Sequence, residues 1–495
     1  MSQGRIIGLV VLVAVAALSW GAREINHIRI EDSPTRWVSM DHDGLYQTRR
    51  VERALRDGLP VAESDPYLNY PHGARIPHWP PYYTLVLRSV LGPFAPDDPE
   101  ARRHWLEMRV ASMPLLFGVV TSLLAAAGGG LVAGSGGAAA AGIYHALCTG
   151  SILYSRIGNG DLHAWVSMLG GASLLLLSAA LAGSLLDRRR ASTLLGLLLG
   201  AISGLMLGSW VGALVYIVEV QLVLGVVLVL HTRHSRAGLP AFGVAFHVAA
   251  ALAVLPAVLS SPWEGEAPSI VIGLYWVHLA FLLTGALVFV PLLYLREGRT
   301  LRAYPWLAAG SLALVGGLFL LSDPGVRGAL SWIGRTDPFM AQVSESRPLL
   351  GPGTGWAAVE QLGWGVGFLP IVWVLALGSL FRGGSLALLP WVVAGFLQTF
   401  GINNWNYLLL SQINLCIAFT AVWLLARQFF RPAQALAAVC LLEFVPYYSF
   451  LGIRLNHSSL LISLWALSTL LAYLAVMRQR LIYWVLQASS WRWRC

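Results

Sequence analysis

The sequence is poor in charge and in cysteine, and these two shortages already exclude several protein classes. Only 12% of its 495 residues are charged and 57% are hydrophobic, whereas charged residues make up about a quarter of a soluble domain. A soluble chain cannot bury that much apolar surface, so soluble enzymes, disordered tails and nucleic-acid modules are excluded. The four cysteines form neither a metal-ligand spacing nor a disulfide framework.

Lysine is also absent, so all 33 basic residues are arginine and the formal net charge is +9. Cytoplasmic loops of membrane proteins collect arginine, so this balance requires no nucleic-acid partner. The apolar residues form long continuous runs rather than alternating patterns, which favours spanning helices over a β-barrel. We therefore predict an all-α polytopic membrane protein, a bundle of about 13–14 transmembrane helices with two long external loops.

The apolar runs also predict how the chain is organised along its length. Basic segments at 187–190, 231–236 and 296–302 indicate cytoplasmic loops, and the long polar stretches then lie on one external face. A Gly/Ala-rich run at 128–137 predicts close helix packing. The predicted segments are a first transmembrane helix at 1–22, an external loop at 23–104, transmembrane helices 2–9 at 105–321, an external loop at 322–363, C-terminal transmembrane helices at 364–480 and a short tail at 481–495.

The first external stretch contains two carboxylates, Asp41 and Asp43, separated by one residue. On an extended segment they face the same way and could hold a divalent cation, which prefers hard oxygen ligands. The alternative is a solvated loop. Four arginines follow at helical spacing and predict a basic helix, either at lipid headgroups or phosphates or simply solvated: Arg49, Arg50, Arg53 and Arg56.

A second candidate lies between two predicted spans, where Asp161 and His163 follow Gly158 and Gly160. In a helix the two side chains would diverge by about 200°. The glycines favour an irregular turn in which they converge as a metal-ligand pair. The alternative is an exposed loop in which Asp161 caps the next helix.

The third candidate lies in the second long loop, where Asp337-Pro338 precedes Gln342-Val343-Ser344-Glu345. A glutamate beside a short hydroxyl is unremarkable by itself, and a solvated loop charge is the alternative.

Together these three stretches resemble the catalytic subunit of oligosaccharyltransferase, a GT-C class membrane glycosyltransferase, without its C-terminal soluble domain. The resemblance covers about residues 1–430. In order, the matching stretches are Asp43 and Tyr46 with the arginine-rich helix, Tyr70-Pro71-His72-Gly73-Ala74-Arg75, the Asp-x-His pair Asp161 and His163, and Asp337-Pro338 before Ser344-Glu345.

The resemblance implies metal-dependent transfer of a glycan from a polyprenyl-(pyro)phosphate donor to an acceptor, with protein asparagine as the first candidate, on the external membrane face. It implies Asp43 and Glu345 as catalytic residues, and Asp43, Asp161 and His163 as ligands of a divalent metal, Mn or Mg. The implied substrate-binding residues are Ser344, Arg347 and Arg75.

The expected partners are the polyprenyl-linked sugar donor, a protein or glycan acceptor, membrane lipid and a separate soluble subunit, with no nucleic acid. The expected location is a prokaryotic inner or plasma membrane. Two alternatives stay open. One is a GT-C monosaccharide transferase using a polyprenyl-phosphate sugar and a lipid, glycan or hydroxyl acceptor. The other is a transporter or an inactive relative. A transporter places ionisable residues near the bilayer centre, whereas most charges here gather in external loops.

Overall fold

The computed structural model describes residues 3–24, 41–58, 64–66, 71–75, 80–230, 238–260, 273–294, 386–400, 424–430 and 457–478, together with residues 324 and 422. The chain forms two compact units. The first comprises Met1–Trp332 with Ser385–Ala394, and the second comprises Ile333–Gly384 with Gly395–Cys495.

Helices dominate the described residues. They are α1 (Gln3–Glu24), α2 (His42–Asp57), α3 (Tyr82–Leu91), α4 (Pro99–Leu147), α5 (Thr149–Ser155), α6 (His163–Ala182), α7 (Arg189–Leu207), α8 (Leu214–Leu230), α9 (Leu239–Leu259), α10 (Trp276–Tyr294), α11 (Leu389–Phe400) and α12 (His457–Arg478), with short 3-10 helices at Gly92–Phe94, Ser184–Asp187, Val211–Ala213 and Leu386–Leu388. A two-residue antiparallel ribbon pairs β1 (Ser64–Asp65) with β2 (Ala74–Arg75), Ser64 opposite Arg75.

The fold class predicted from the sequence is confirmed: this is an all-α polytopic membrane protein. Within the described residues, five helices are long and apolar enough to cross a membrane. Helices suit this environment because every backbone polar group finds its partner inside the segment. The five are Ile6–Glu24, Pro99–Leu147, His163–Ala182, Arg189–Leu207 and Leu239–Leu259.

The long helix α4 is in fact a helical hairpin. Ala133 and Gly134 leave the helical region, and Gly134 has a φ of 68°. A methyl group built on Gly129 would overlap the carbonyl oxygen of Gly137 and lie 2.8 Å from Ala141 Cβ. In one continuous helix, eight residues would separate Gly129 from Gly137 by about 12 Å. The two arms therefore run antiparallel in close contact, through the small residues of the Gly/Ala-rich run.

An apolar cluster of the first unit packs α3 against α4 and α6. Its buried members include Tyr83, Leu106, Phe117 and Trp165. The rings of Phe117 and Trp165 lie 5.2 Å apart, and each lies 6.5 Å from the ring of Tyr83. Aromatic burial of this kind contributes most per residue to a core, so α3 is fixed beside the loop that connects α5 to α6.

In the second unit, α12 packs through its own apolar face. Ala466 and Leu470 are buried against Val422 and Leu425, and the ring of Tyr473 lies 5.0 Å from that of Phe429.

The hairpin gives the first testable prediction. Replacing Gly137 with alanine places a methyl group on the Gly129 carbonyl oxygen, so the arms must separate. We expect the free energy of unfolding to fall by about 1–3 kcal/mol, the usual cost of overpacking. Gly136→Ala is the matched control, because nothing lies within 4 Å of a methyl group there. Thermal unfolding in detergent measures both, and equal melting temperatures would contradict the hairpin contact.

Candidate metal centre

Three carboxylates from two separate segments converge in the first unit. Asp41 and Asp43 lie at the start of α2, and Asp161 lies in the loop between α5 and α6. One oxygen of each lies within 4.8 Å of the others. Asp161 is only 4% exposed, whereas Asp41 and Asp43 are partly exposed. The group is therefore closed on one side and accessible on the other.

The start of α2 fixes the first two carboxylates. Asp41 is the N-cap, with extended backbone (φ −129°, ψ 135°), and its side chain accepts a hydrogen bond from the backbone N–H of Asp43. Aspartate is favoured at both positions because its negative charge meets unpaired N–H groups and the positive end of the helix dipole. Both carboxylates therefore lie at the N-terminal end of α2.

A close backbone contact between two glycines brings the two segments together. A methyl group on Gly160 would lie 3.1 Å from Gly44 Cα and 3.2 Å from Val110 Cγ1. Gly44 directly follows Asp43, and Gly160 directly precedes Asp161. Because side chains at both positions would hold the backbones apart, the glycines allow the neighbouring carboxylates to approach.

Backbone hydrogen bonds anchor the loop that carries Asp161. The N–H of Ile157 donates to the carbonyl of Arg23 at 3.2 Å, and the N–H of Gly158 donates to the carbonyl of Ala111 at 3.0 Å. Gly158 has a φ of 101°, a left-handed conformation that glycine adopts without strain. The end of α1 and the first arm of α4 therefore set where the loop lies.

Arg23 also ties the end of α1 to the helix that precedes this loop. Its side chain is fully buried and donates to the hydroxyls of Ser19, Ser151 and Ser155, each at 2.7 Å. A buried guanidinium is tolerated only when its N–H groups are satisfied. Because Ser155 ends α5, this network fixes the point where the loop begins.

Tyr83 supports the loop from the other side. Its hydroxyl lies 3.3 Å from the carbonyl oxygens of both Gly160 and Asp161. Burial raises the pKa of Tyr83, and the nearby Asp161 carboxylate raises it further. The phenol therefore keeps its proton and remains a donor to these carbonyls.

His163 and Asp161 do converge, because His163 Nε2 lies 3.0 Å from Asp161 Oδ2. The imidazole ring lies between Tyr154 and Trp210, at centroid distances of 5.2 and 5.9 Å. His163 is not part of the three-carboxylate group and reaches it through Asp161. In this arrangement it orients the Asp161 carboxylate, and its role as a metal ligand stays a prediction.

The donor set fits a divalent cation. Three ionised carboxylates this close repel one another. A hard cation such as Mg²⁺ or Mn²⁺ relieves that repulsion and prefers such oxygens. Asp41, Asp43 and Asp161 could therefore hold a divalent cation, whereas the predicted ligands are Asp43, Asp161 and His163.

The four arginines of α2 serve mainly internal contacts. Arg50 is buried, donates to the Pro80 carbonyl at 3.1 Å and lies 5.9 Å from the Tyr46 ring. Burial lowers the pKa of Arg50 to about 10, so it remains charged at neutral pH. The other three form ion pairs within the same loop: Arg49–Asp65, Arg53–Asp57 and Arg56–Asp57.

The remaining predicted site residues have no described side chain. Arg75 lies in β2, and only its backbone is described. Ser344, Glu345 and Arg347 lie outside the described residues.

The Asp-x-Asp pattern indicates Asp41 as a possible cation-holding carboxylate, but the family resemblance implies only Asp43 of that pair as a ligand. One residue that supports this centre, Tyr83, is not predicted from the sequence. Tyr83 carries no signal of its own, because a tyrosine in an apolar helix is more often a core residue.

Comparison with known proteins places this fold. Residues 387–491, about a fifth of the chain, match the family model of dolichyl-phosphate-mannose-protein mannosyltransferase. No curated protein matched the sequence.

The solved structures that share the fold include three of the oligosaccharyltransferase from the archaeon Archaeoglobus fulgidus. One, named AglB and in complex with an inhibitory peptide and a dolichol-phosphate, matches with a TM-score of 0.66 and 20% identity, over 92% of this chain and 56% of that one. The complex with Zn and sulfate matches with a TM-score of 0.60 and 20% identity, over 92% of this chain and 53% of that one. The form tethered to an acceptor peptide with an NVT sequon matches with a TM-score of 0.62 and 19% identity, over 92% of this chain and 55% of that one.

At 19–20% identity these matches show the fold alone. The chain has the fold of the archaeal oligosaccharyltransferases, and it spans little more than half the length of the structures that it matches.

The glycine contact gives the second prediction. In Gly160→Ala the new methyl group presses on Gly44 and Val110, so the Asp161 loop must move away from α2. We expect Mn²⁺ affinity to fall about 10–100-fold, as for residues that only support a metal ligand. Gly225→Ala is the control, because nothing lies within 4 Å of a methyl group there. Titration of purified protein followed by electron paramagnetic resonance measures free Mn²⁺, and wild-type affinity in Gly160→Ala would refute the contact's role.

Proposed function

We propose that this protein is a metal-dependent GT-C glycosyltransferase that transfers a glycan from a polyprenyl-(pyro)phosphate donor to an acceptor, with a protein asparagine as the first acceptor to test. The observation that carries the proposal is the convergence of Asp41, Asp43 and Asp161 within a bundle that has the fold of oligosaccharyltransferases. Asp41 also caps α2, and three carboxylate oxygens this close together suit a divalent cation.

The donor is proposed from the chemistry of the centre. A bound divalent cation, Mn or Mg, supplies the positive charge that makes a lipid-linked (pyro)phosphate a good leaving group. Asp161 is held rigidly by Tyr83 and the loop anchors, which fixes the site before substrate arrives. Asp41 and Asp43 are partly exposed, so they face the side from which a donor can enter. The solved relative with dolichol-phosphate supports a donor of this class.

The acceptor is proposed from the same comparison and from the third motif. A solved relative holds a peptide with an NVT sequon, which supports a protein acceptor. Asp43 and Glu345 are proposed to bind and orient the acceptor amide, because positioning the nucleophile contributes much of such a rate. Ser344, Arg347 and Arg75 are proposed as substrate contacts, since guanidinium groups pair well with phosphate.

The side of the membrane and the partners are also proposals. We propose that the carboxylate centre lies on the external face of a prokaryotic inner or plasma membrane, and the basic loops that indicate the cytoplasmic side support this. A separate soluble subunit is proposed as a further partner.

A monosaccharide transferase is the second candidate function. The match of residues 387–491 to a dolichyl-phosphate-mannose-protein mannosyltransferase family favours it. Such an enzyme would use a polyprenyl-phosphate sugar and a hydroxyl, lipid or glycan acceptor. To distinguish the two functions, purified protein is incubated with Mn²⁺ and with each combination of donor class and peptide or hydroxyl acceptor. The combination of donor and acceptor that yields product identifies the function.

The carboxylate centre gives the third prediction. Asp43→Asn and Asp161→Asn each keep the side-chain shape but remove a charged ligand. We expect transfer to fall by more than the roughly 10–100-fold seen when only a supporting residue is lost. Asp57→Asn is the control, because Asp57 lies at the far end of α2 and forms its ion pairs, within the described part of the chain, with Arg53 and Arg56. Turnover of both centre variants at the Asp57→Asn level would sink the proposed metal site.

Glu345 gives the fourth prediction. If its carboxylate hydrogen-bonds the acceptor amide, Glu345→Gln loses about 1.5–3 kcal/mol, roughly a ten- to hundredfold loss in acceptor use. Donor affinity should change far less, because metal and arginine hold the phosphate. Separate acceptor and donor kinetics measure the two effects, with Glu360→Gln as control in the same predicted loop. Full activity of Glu345→Gln with every acceptor would favour the monosaccharide transferase instead.

A further inference from the structure

Gln47 is a buried amide without a hydrogen-bond partner among the described residues. It lies in α2 and is 0% exposed. Neither its Nε2 nor its Oε1 atom has a hydrogen-bond partner among the described residues. Leaving a buried amide unpaired costs about 1–3 kcal/mol, a cost that an apolar side chain of similar size avoids. Such a group indicates a partner from outside the chain.

Gln47 lies on the face of α2 that also carries Asp43. Gln47 follows Asp43 by four residues in one helix, so the two share a face with Cβ atoms about 5–6 Å apart. Helical side chains lean toward the N-terminus of their helix. The Gln47 side chain therefore leans toward the first turn of α2, where Asp41 and Asp43 meet Asp161.

Its polar neighbours on α2 are engaged elsewhere. The Thr48 hydroxyl donates to the carbonyl of Gly44 at 2.9 Å. Arg50, one turn further along, donates to the Pro80 carbonyl and lies over the Tyr46 ring. Neither residue competes for the amide of Gln47.

We propose that Gln47 is a further ligand of the carboxylate centre, binding the divalent cation, or a water molecule on it, through its amide oxygen. Amide oxygens are common ligands of hard cations. A neutral ligand also suits a centre that already has three carboxylates for a doubly charged ion, because a fourth carboxylate would add repulsion. This inference rests on the proposed function only in assuming that the centre binds a cation.

The test uses Gln47→Leu in the full-length protein and measures Mn²⁺ binding directly. The leucine fills the same space without polar atoms, so the metal-free protein should keep or raise its melting temperature. Mn²⁺ affinity, measured by electron paramagnetic resonance titration, should fall about tenfold or more. A residue with only a structural role would not raise stability and lower metal affinity together.

Two further variants complete the test. Gln47→Glu keeps the oxygen ligand and should hold Mn²⁺ within about threefold of the wild-type affinity or more tightly, since it adds charge. Ser178→Ala is the control: its hydroxyl is also buried without a partner among the described residues, but it lies roughly 22 Å along α6 from the start of that helix. It should leave Mn²⁺ affinity unchanged.

The outcomes separate this inference from the proposed function. If Asp43→Asn loses Mn²⁺ and Gln47→Leu does not, only the role of Gln47 is overturned. If the wild-type protein binds no Mn²⁺, or if Asp43→Asn binds it normally, the cation centre fails and the inference with it. If Gln47→Leu lowers both stability and affinity, Gln47→Glu decides: recovered Mn²⁺ affinity supports the ligand role, and continued loss overturns it.

Discussion

The contact between the backbones of Gly44 and Gly160 is the constraint on which the centre depends. Three carboxylates repel one another, and loops carrying them would separate if only side-chain contacts held them. Here the α2 start and the Asp161 loop touch through their main chains, and the loop is bonded to Arg23 and Ala111. Backbone movement away from the contact is thereby restricted, and a cation bound between the carboxylates would relieve the repulsion. Preorganisation of this kind gives an electrostatic site its strength.

Burial divides this centre into a fixed and an accessible side. Asp161 and Gln47 are buried, with Tyr83 holding the Asp161 loop from beneath, whereas Asp41 and Asp43 are partly exposed. A bound cation would thus be held from one side and would present its remaining positions to a phosphate on the other. Catalytic metal centres keep an open position in this way, whereas purely structural ones are closed by protein ligands.

The sequence predicts the helical class and the carboxylates Asp43 and Asp161, but not Gln47 or Tyr83. This difference has a physical reason. Continuous apolar runs specify helices wherever they occur, because a bilayer leaves the backbone no other partners. Asp43 and Asp161 stand out because charge is rare in this chain. Gln47 and Tyr83 do not, because their importance comes from burial and from a contact between segments distant in sequence. Asp41 falls between these cases, since an aspartate before a helix serves equally as a cap.

The two candidate functions share the centre and differ elsewhere. The carboxylates belong to the first unit, whereas Glu345 and most of the stretch that matches the mannosyltransferase family belong to the second. Neutralising a leaving phosphate is required whichever sugar is moved, so evidence for the metal supports both functions equally. The acceptor differs chemically: an amide nitrogen is a far poorer nucleophile than a hydroxyl oxygen and needs carboxylates that engage its N–H groups. The choice between the two proposed functions therefore depends on whether Glu345, in the second unit, binds an acceptor amide.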